Sequence, residues 1–526
     1  MMAESSEGRI DASDSVHGIL YLPQPIVQKI MSCLPPRVAA QISILSKDWN
    51  HAFNTLPTLE FDEETFGRKD VGGHDADIEN DTFLEYVDGY ITRRREHDLN
   101  IDSMSLLVFS KGDKLSLVLP KWIDIASRLN LRDLTLGRIV DYPNRRWYDH
   151  KCPDLVSDTI SVLHVSHLYM KGVKTRLPRL EELVLHRVDE SSDVLNELML
   201  SCPALRRVEL IEYSHFGDLL ICGPKLETFE ASGMYRVNSF SISAPNLMSF
   251  SFTSTLTIGL PDGELSTLQV HGAQNLRELT LDLCVVGIRT IREAVSRLRL
   301  LETLRLRGRL SAERIRITHK NLKHLVLTRF DSLRRVKTQT PNLVSFQYDG
   351  LNIPIIGPRD STRLASARLE VDFGVRTKRS YLKAAKFLRY FGRCDSLTLI
   401  CNNVEALVLP EEIRSVMLPP LHNVKHLKLQ ILFNTPEVNA SSSQLTESLR
   451  WMGPHLETLV VSSEPRHEKT PCPHSETPVI GSKPHRDKYS RANRKRGRSE
   501  TAAAGTRDAL STKKTHPASS VGSSRV

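Results

Sequence analysis

NLKHLVL, residues 321–327, places leucines at 322, 325 and 327. In an extended chain alternate side chains leave by the same face, so Leu325 and Leu327 point one way. The pattern returns in RLEELVL (Leu180, Leu183, Leu185), ALRRVEL (Leu205, Val208, Leu210), KLETFEA (Leu226, Phe229, Ala231) and NLMSFSF (Leu247, Phe250, Phe252). It continues in NLRELTL (Leu276, Leu279, Leu281), LLETLRL (Leu301, Leu304, Leu306) and NLVSFQY (Leu343, Phe346, Tyr348). Outlying copies are NLRDLTL from Asn130, NVKHLKL from Asn423 and HLETLVV from His455. Between Leu180 and Leu343 the steps from one first position to the next are 25, 21, 21, 29, 25, 21 and 21 residues.

A unit of that period cannot bury its apolar face alone, and stacking joins the faces of successive units into one core. This is the period of a leucine-rich repeat, with one short strand and a return segment per unit. Prolines at 203, 224, 245 and 341 stand just before several strands and break the return run there. The rhythm is expected to be irregular. The Asn or Cys usual after such strands is mostly missing, and residues 351–393 interrupt the series with a helix-like SYLKAAKFLRYFG. The repeat domain is assigned to residues 104–463.

Residues 22–34, LPQPIVQKIMSCL, form an apolar helical stripe, with Ile26, Ile30 and Leu34 at four-residue steps beside Val27 and Met31. Pro23 and Pro25 fit only at the helix start, and Pro35-Pro36 ends it. RVAAQISILSKDWNHAF, residues 37–53, is a second helical stretch with Val38, Ala39, Ile42, Leu45, Trp49 and Phe53 in register. Leu59-Glu-Phe61-Asp62 reads as a short extended piece. So small a unit gains from docking on a larger domain or a partner. The module is assigned to residues 18–62, after a disordered stretch 1–17. Residues 63–103 form an acidic connector and then a capping helix, with Phe83, Tyr86, Val87, Tyr90 and Ile91 on one side. WIDIASRL, residues 122–129, is a further helix before the first clear repeat.

Leu22-Pro23, Ile26, Ile30, Leu34-Pro35, Ala39, Leu45-Ser46-Lys47, Trp49 and Leu59-x-Phe61-Asp62 resemble, in order and spacing, the F-box of plant F-box/leucine-rich-repeat proteins. The resemblance covers Leu22 to about Ser463. Gln24, Pro25 and Asp48 depart from the family, which commonly has acidic residues at the first two positions and a basic one at the third. The resemblance implies binding to a Skp-type adaptor through Leu22, Pro23, Ile26, Ile30, Leu34, Pro35, Leu45 and Trp49. Through that adaptor it implies a cullin–RING ubiquitin ligase, with the repeat surface binding an unidentified protein substrate. The alternative is a leucine-rich-repeat scaffold that does not engage the ligase. The fold class expected is α+β: a helical module, an irregular α/β solenoid and a disordered basic tail.

The tail, residues 464–526, holds 14 of the 71 Lys/Arg and 6 of the 62 Asp/Glu, leaving 57 and 56 for the other 463 residues. The basic balance therefore belongs to the tail, and no nucleic-acid partner is expected for the body. Arg491, Arg494, Lys495, Arg496 and Arg498 form a candidate nuclear-import cluster.

No phosphate loop, dinucleotide fingerprint, HExxH or GxSxG is present, so neither enzymatic activity nor a cofactor is expected. The eight cysteines include no CxxC, His422 and His426 flank a strand, and Cys472 and His474 make a poor metal site. No run of 18 apolar residues occurs, and the start is acidic and polar, unlike a signal peptide. No membrane is expected, and the location is expected to be nucleus and/or cytoplasm.

Overall fold

The computed structural model describes residues 22–465 apart from 35, 64–75, 109–113, 139–151, 153, 171, 189–191, 255–266, 271, 283–287, 308–312, 331–332, 351, 358–363, 375–376 and 434–441. The acidic part of the connector, the candidate import cluster, Pro35 and both assigned terminal stretches (1–17 and all but the first two residues of 464–526) lie outside the described residues.

The alternating leucines become strands. Among the described residues one parallel sheet joins eighteen strands. Sixteen of them follow one another as rungs, from β1 (Thr58–Asp62) and β2 (Ser103–Val108) to Thr458–Pro465. The other two, Ser214–Cys222 and Thr267–Val270, pair with the second half of the long strand Thr228–Ser243. Registers are regular: Leu279, Leu304, Leu325 and Phe346 stand side by side, as do Leu281, Leu306, Leu327 and Tyr348. All eight are buried, and so are the first-position residues Leu276, Leu301, Leu322 and Leu343. Each unit thus adds three apolar side chains to one continuous core.

Five rungs have no counterpart among the eleven repeats read from the sequence. They start at Thr58, Ser103, Val162, Ser366 and Ser396. Their first slots hold Leu56, Ile101, Ile160, Leu364 and Cys394, all buried, and Ala367 takes a strand slot. The core accepts other apolar residues where their volume fits. Ser366–Val371 lies inside 351–393 and pairs with both neighbours, so the rhythm is not interrupted there. β1 pairs in parallel with β2, so the strand assigned to the helical module is the solenoid's first rung.

Return length decides return structure. Where rungs start 21 residues apart, as from Arg207 to Thr228 or Thr303 to His324, the chain returns as the strands Ser214–Cys222 and Arg314–Thr318. Where they start 25 or more apart, several returns are helical: Ser192–Ser201 between Glu182 and Arg207, and Lys378–Tyr390 between Ser366 and Ser396. A helix rises about 1.5 Å per residue against about 3.3 Å for a strand, so covering the same distance takes roughly twice the residues.

Leaving each strand requires a sharp turn. His167, Arg187, Glu212, Gly233 and Arg329 all have φ between 47° and 67° and follow the fifth residue of a rung. Left-handed backbone costs a non-glycine residue about 1–2 kcal/mol. Hydrogen bonds to the next turn offset it: Arg187 N donates to Ile211 O at 2.8 Å and Glu212 N to Ser232 O at 2.7 Å. At Gly233 a Cβ would meet Glu212 Cγ at 2.9 Å, so space as well as conformation favours glycine there.

The asparagines before first-position leucines also tie units together. Asn246, Asn275, Asn321 and Asn342 donate through Nδ2 to carbonyls of Pro224, Pro245, Arg299 and Lys320 at 2.6–2.9 Å. The asparagine missing after the strands is thus present before them.

Candidate functional site

Among the described residues three short helices precede the first rung: α1 (Gln24–Ser32), α2 (Pro36–Ser43) and α3 (Lys47–Asn54). The stretch 37–53 is therefore not one helix. Ser46 breaks it, since its hydroxyl accepts from Trp49 N at 3.3 Å and caps α3. The preceding turn then carries Ile44 and Leu45 outward.

The module has its own small core of Val27, Met31, Ala39, Trp49, Ala52 and Leu56. The inward face of α1 is therefore the Val27–Met31 line, while Ile26 is 47% exposed and Pro23 is exposed. Leu22, Ile30 and Leu34 are half-buried at the margin. Trp49, expected to contact a partner, is only 8% exposed and packs the interior. Ile44 and Leu45, at 82% and 69%, are the most exposed large apolar residues of the module. Ile44 was not singled out in the sequence, because helical periodicity assigns a turn residue no face.

Two of the departures from the family pattern have structural roles. Gln24 Nε2 donates to the Asp48 carbonyl at 3.3 Å, joining the start of α1 to α3, and a carboxylate could not donate there. Asp48 lies in the first turn of α3, where a negative charge suits the helix dipole. Gln28 Nε2 adds a 2.9 Å bond to Thr55 Oγ1.

The module runs straight into the solenoid. Asp102 N donates to Pro57 O at 2.8 Å, beside the β1–β2 pairing. The capping helix α4 (Ala76–Glu96) buries Phe83, Val87 and Ile91 against the first rungs, while Tyr86 stays 39% exposed. Asp88 on this helix accepts from Lys121 Nζ at 2.7 Å and Trp122 Nε1 at 2.8 Å, both on α5 (Lys114–Arg128). Those bonds hold its carboxyl below the usual range. A cavity of about 80 Å³ separates Met31, Ala39 and Phe53 of the module from Leu59, Phe61 and Tyr90. Burial, with help from the Asp62 charge, pushes up the carboxyl of Glu60 at this junction.

The outward side chains of the rungs form a second exposed surface, and many are linked across rungs. Arg305 lies 3.6 Å from Glu278, His324 Nδ1 is 2.8 Å from Ser345 Oγ and Gln430 Nε2 donates to Glu464 Oε1 at 3.0 Å. A recess of about 660 Å³ near the last units is lined by Tyr381, Leu409, Arg414, Glu447 and Trp451. Its Arg414 is already engaged by Leu409 O at 2.8 Å and Glu447 at 2.7 Å. Among the described residues no group of three His, Cys, Asp or Glu could hold a metal ion, and no helix is long and apolar enough to cross a membrane.

A family model described as "FBD-associated F-box protein At5g56370, LRR repeats" matches residues 119–277, within the rungs and returns described above. The chain is similar, in this repeat region, to plant F-box/leucine-rich-repeat proteins. Three similar proteins are all from Arabidopsis thaliana. F-box protein At3g59000 is 24% identical over 50% of this chain and 52% of its own length. F-box/LRR-repeat protein At1g06630 is 23% identical over 52% and 69%, and Putative F-box/LRR-repeat protein At4g15060 is 26% identical over 62% and 77%. The match thus spans about half the length of the first of these relatives. What the chain shares most clearly with this F-box/leucine-rich-repeat family is the repeat body.

Proposed function

We propose that the chain is the substrate-recognition subunit of an SCF-type cullin–RING ubiquitin ligase. The helical module is the F-box and grips a Skp-type adaptor, and the outward face of the rungs holds a target protein. The chain supplies no chemistry. It raises the target's concentration beside the ubiquitin-loading subunits. The observation that carries this reading is that three large apolar side chains, Ile26, Ile44 and Leu45, stay exposed on a module whose own core is already complete without them. Direct attachment of the module to the first rung adds support, because a target is then held at a fixed distance from the adaptor. Placement of the ligase assembly in nucleus and/or cytoplasm belongs to the same proposal.

The anchors are therefore Pro23, Ile26 and Leu45 of the residues read from the sequence, together with Ile44, and with Leu22, Ile30 and Leu34 at the margin. Trp49 acts indirectly by holding α3 in place. Co-purification of the full chain with a Skp-type adaptor tests this. The wild type is expected to bind, and a folded Ile26→Asp/Leu45→Asp variant is expected not to. If the folded wild type fails to bind, the chain is a leucine-rich-repeat scaffold outside the ligase.

A further inference from the structure

The charge of the body sums to nearly zero in the sequence, but the fold separates it. On the return side, five elements stand in order: α6 (Ile288–Arg297), β3 (Arg314–Thr318), β4 (Arg335–Gln339), β5 (Ile355–Ile356) and α7 (Lys378–Tyr390). Helix α6 packs beside β3, and α7 packs beside β5. The Thr338 hydroxyl reaches Tyr390 Oη at 3.2 Å, fixing α7 to β4.

The first two outward positions of β3 and of β4 are cations, and the third pair is Thr318 and Gln339. Arg314 stands opposite Arg335 and Arg316 opposite Lys337, while Ile315, Ile317 and Val336 point into the core. Strand geometry sets the four on a grid of about 4.8 Å by about 6.6 Å. Like charges directly opposite one another on a sheet are unfavourable. Among the described residues none of the four forms an ion pair, and Glu313 is taken by Arg334 at 3.3 Å. The grid extends sideways. Helix α7 carries Lys378, Arg379, Lys383, Lys386 and Arg389, all exposed, and no carboxylate. Helix α6 adds exposed Arg292 and Arg297 against Glu293.

We propose that this return face, between residues 288 and 390, docks the phosphate backbone of duplex nucleic acid without reading its sequence. The chemistry selects the partner. Guanidinium groups match phosphate oxygens in a bidentate way, and seven of the eleven cations are arginine. The aromatic rings of α7 are turned in, with Tyr381 and Phe387 buried and Tyr390 half-buried. Among the described residues this helix therefore offers no stacking platform for single-stranded bases and no aromatic anchor for a lipid surface. The cations spread over two strands and two helices, wider than one extended acidic peptide and suited to the two backbones of a duplex. This inference does not depend on adaptor binding.

The test is fluorescence anisotropy of the full chain with a duplex of arbitrary sequence across a salt series. Three variants are compared: Arg314→Thr/Arg335→Thr, Lys383→Gln/Lys386→Gln, and Arg494→Gln/Lys495→Gln/Arg496→Gln in the tail. The first two are each expected to weaken binding about tenfold and to flatten the dependence of log affinity on log salt by about 2. The strand variant is also expected to melt no lower than the wild type, because an opposed like-charge pair is gone. If it unfolds instead, the exposed helix variant carries the binding readout. Loss of binding in the tail variant alone overturns the proposal, as does absence of duplex binding in the wild type. Equal or tighter binding to polyglutamate or to anionic vesicles overturns it in favour of an acidic protein or a membrane.

Discussion

The guanidinium of Arg94, on the capping helix, donates to the carbonyl of Leu56, the last core residue of the helical module. Arg94 is 2% exposed and also contacts Tyr90 Oη at 3.3 Å and Asn100 O at 3.4 Å. Its charged group lies 5.4 Å from the Tyr90 ring centre. One buried cation thus satisfies carbonyls on both sides of the junction and takes the place of a flexible linker. Arg94→Met keeps most of the apolar volume but leaves Leu56 O without this donor. A loss of about 1–3 kcal/mol is expected. Chemical denaturation measures it, and hydrogen exchange should rise first across residues 22–62. Unchanged exchange there would mean that the junction is held by β1 pairing alone.

The module separates surface from core in a way that substitutions resolve. Trp49→Ala should remove about 3–5 kcal/mol from the module, because the ring fills its interior. Leu45→Ala and Ile44→Ala should change stability by less than about 0.5 kcal/mol, since both are mostly exposed. Circular dichroism melts of the three variants give the comparison. If Leu45→Ala destabilised as much as Trp49→Ala, the exposed face would be part of the fold rather than a docking surface.

The repeats were legible because two leucines in alternation and one three residues earlier make a strong periodic signal. Ile101, Ile160, Cys394 and Ala367 broke the letter of that pattern without changing its physics, and their rungs were missed. Phe61 was seen but assigned to the neighbouring module, because chain order does not reveal strand pairing. In the module the family resemblance pointed to residues 22–62, which fold as three short helices and a strand. It could not show which side of α1 faces inward, since Ile26 and Val27 are both apolar and adjacent. The return-face cations were hidden for a different reason. A net charge sums over the chain, whereas Arg314 and Arg335 meet only through strand register 21 residues apart.

The asparagine series makes a prediction about additivity. Each of Asn246, Asn275, Asn321 and Asn342 spans one unit boundary with one bond. Replacing any one by Ala should cost about 0.5–1.5 kcal/mol. In a stacked array boundary terms add, so Asn246→Ala/Asn321→Ala should cost the sum of its two single variants. Urea denaturation of the two single variants and the double variant checks this. A double variant no worse than either single one would show that these bonds are replaced by water at no cost.

Acid should act on the early rungs through histidine. His164 and His186 are half-buried on adjacent rungs, and His186 lies in edge-to-face contact with His167 at 5.1 Å. Burial lowers the pKa of His164 against the opposing pull of Glu182 and Asp133. Burial and then the Arg187 charge lower that of His186 against the pull of Glu212. Both folded values lie below the unfolded value near 6.5. The unfolded chain therefore takes up protons first on acidification, and stability rises with pH through this window. The contribution is complete above about pH 6.5 and is lost as pH falls through the folded values. His164→Gln/His186→Gln should flatten the melting temperature between about pH 7 and pH 5 while leaving the carboxylate-driven loss below about pH 4.5 in place. An unchanged slope in the variant would assign the acid response to the carboxylates alone.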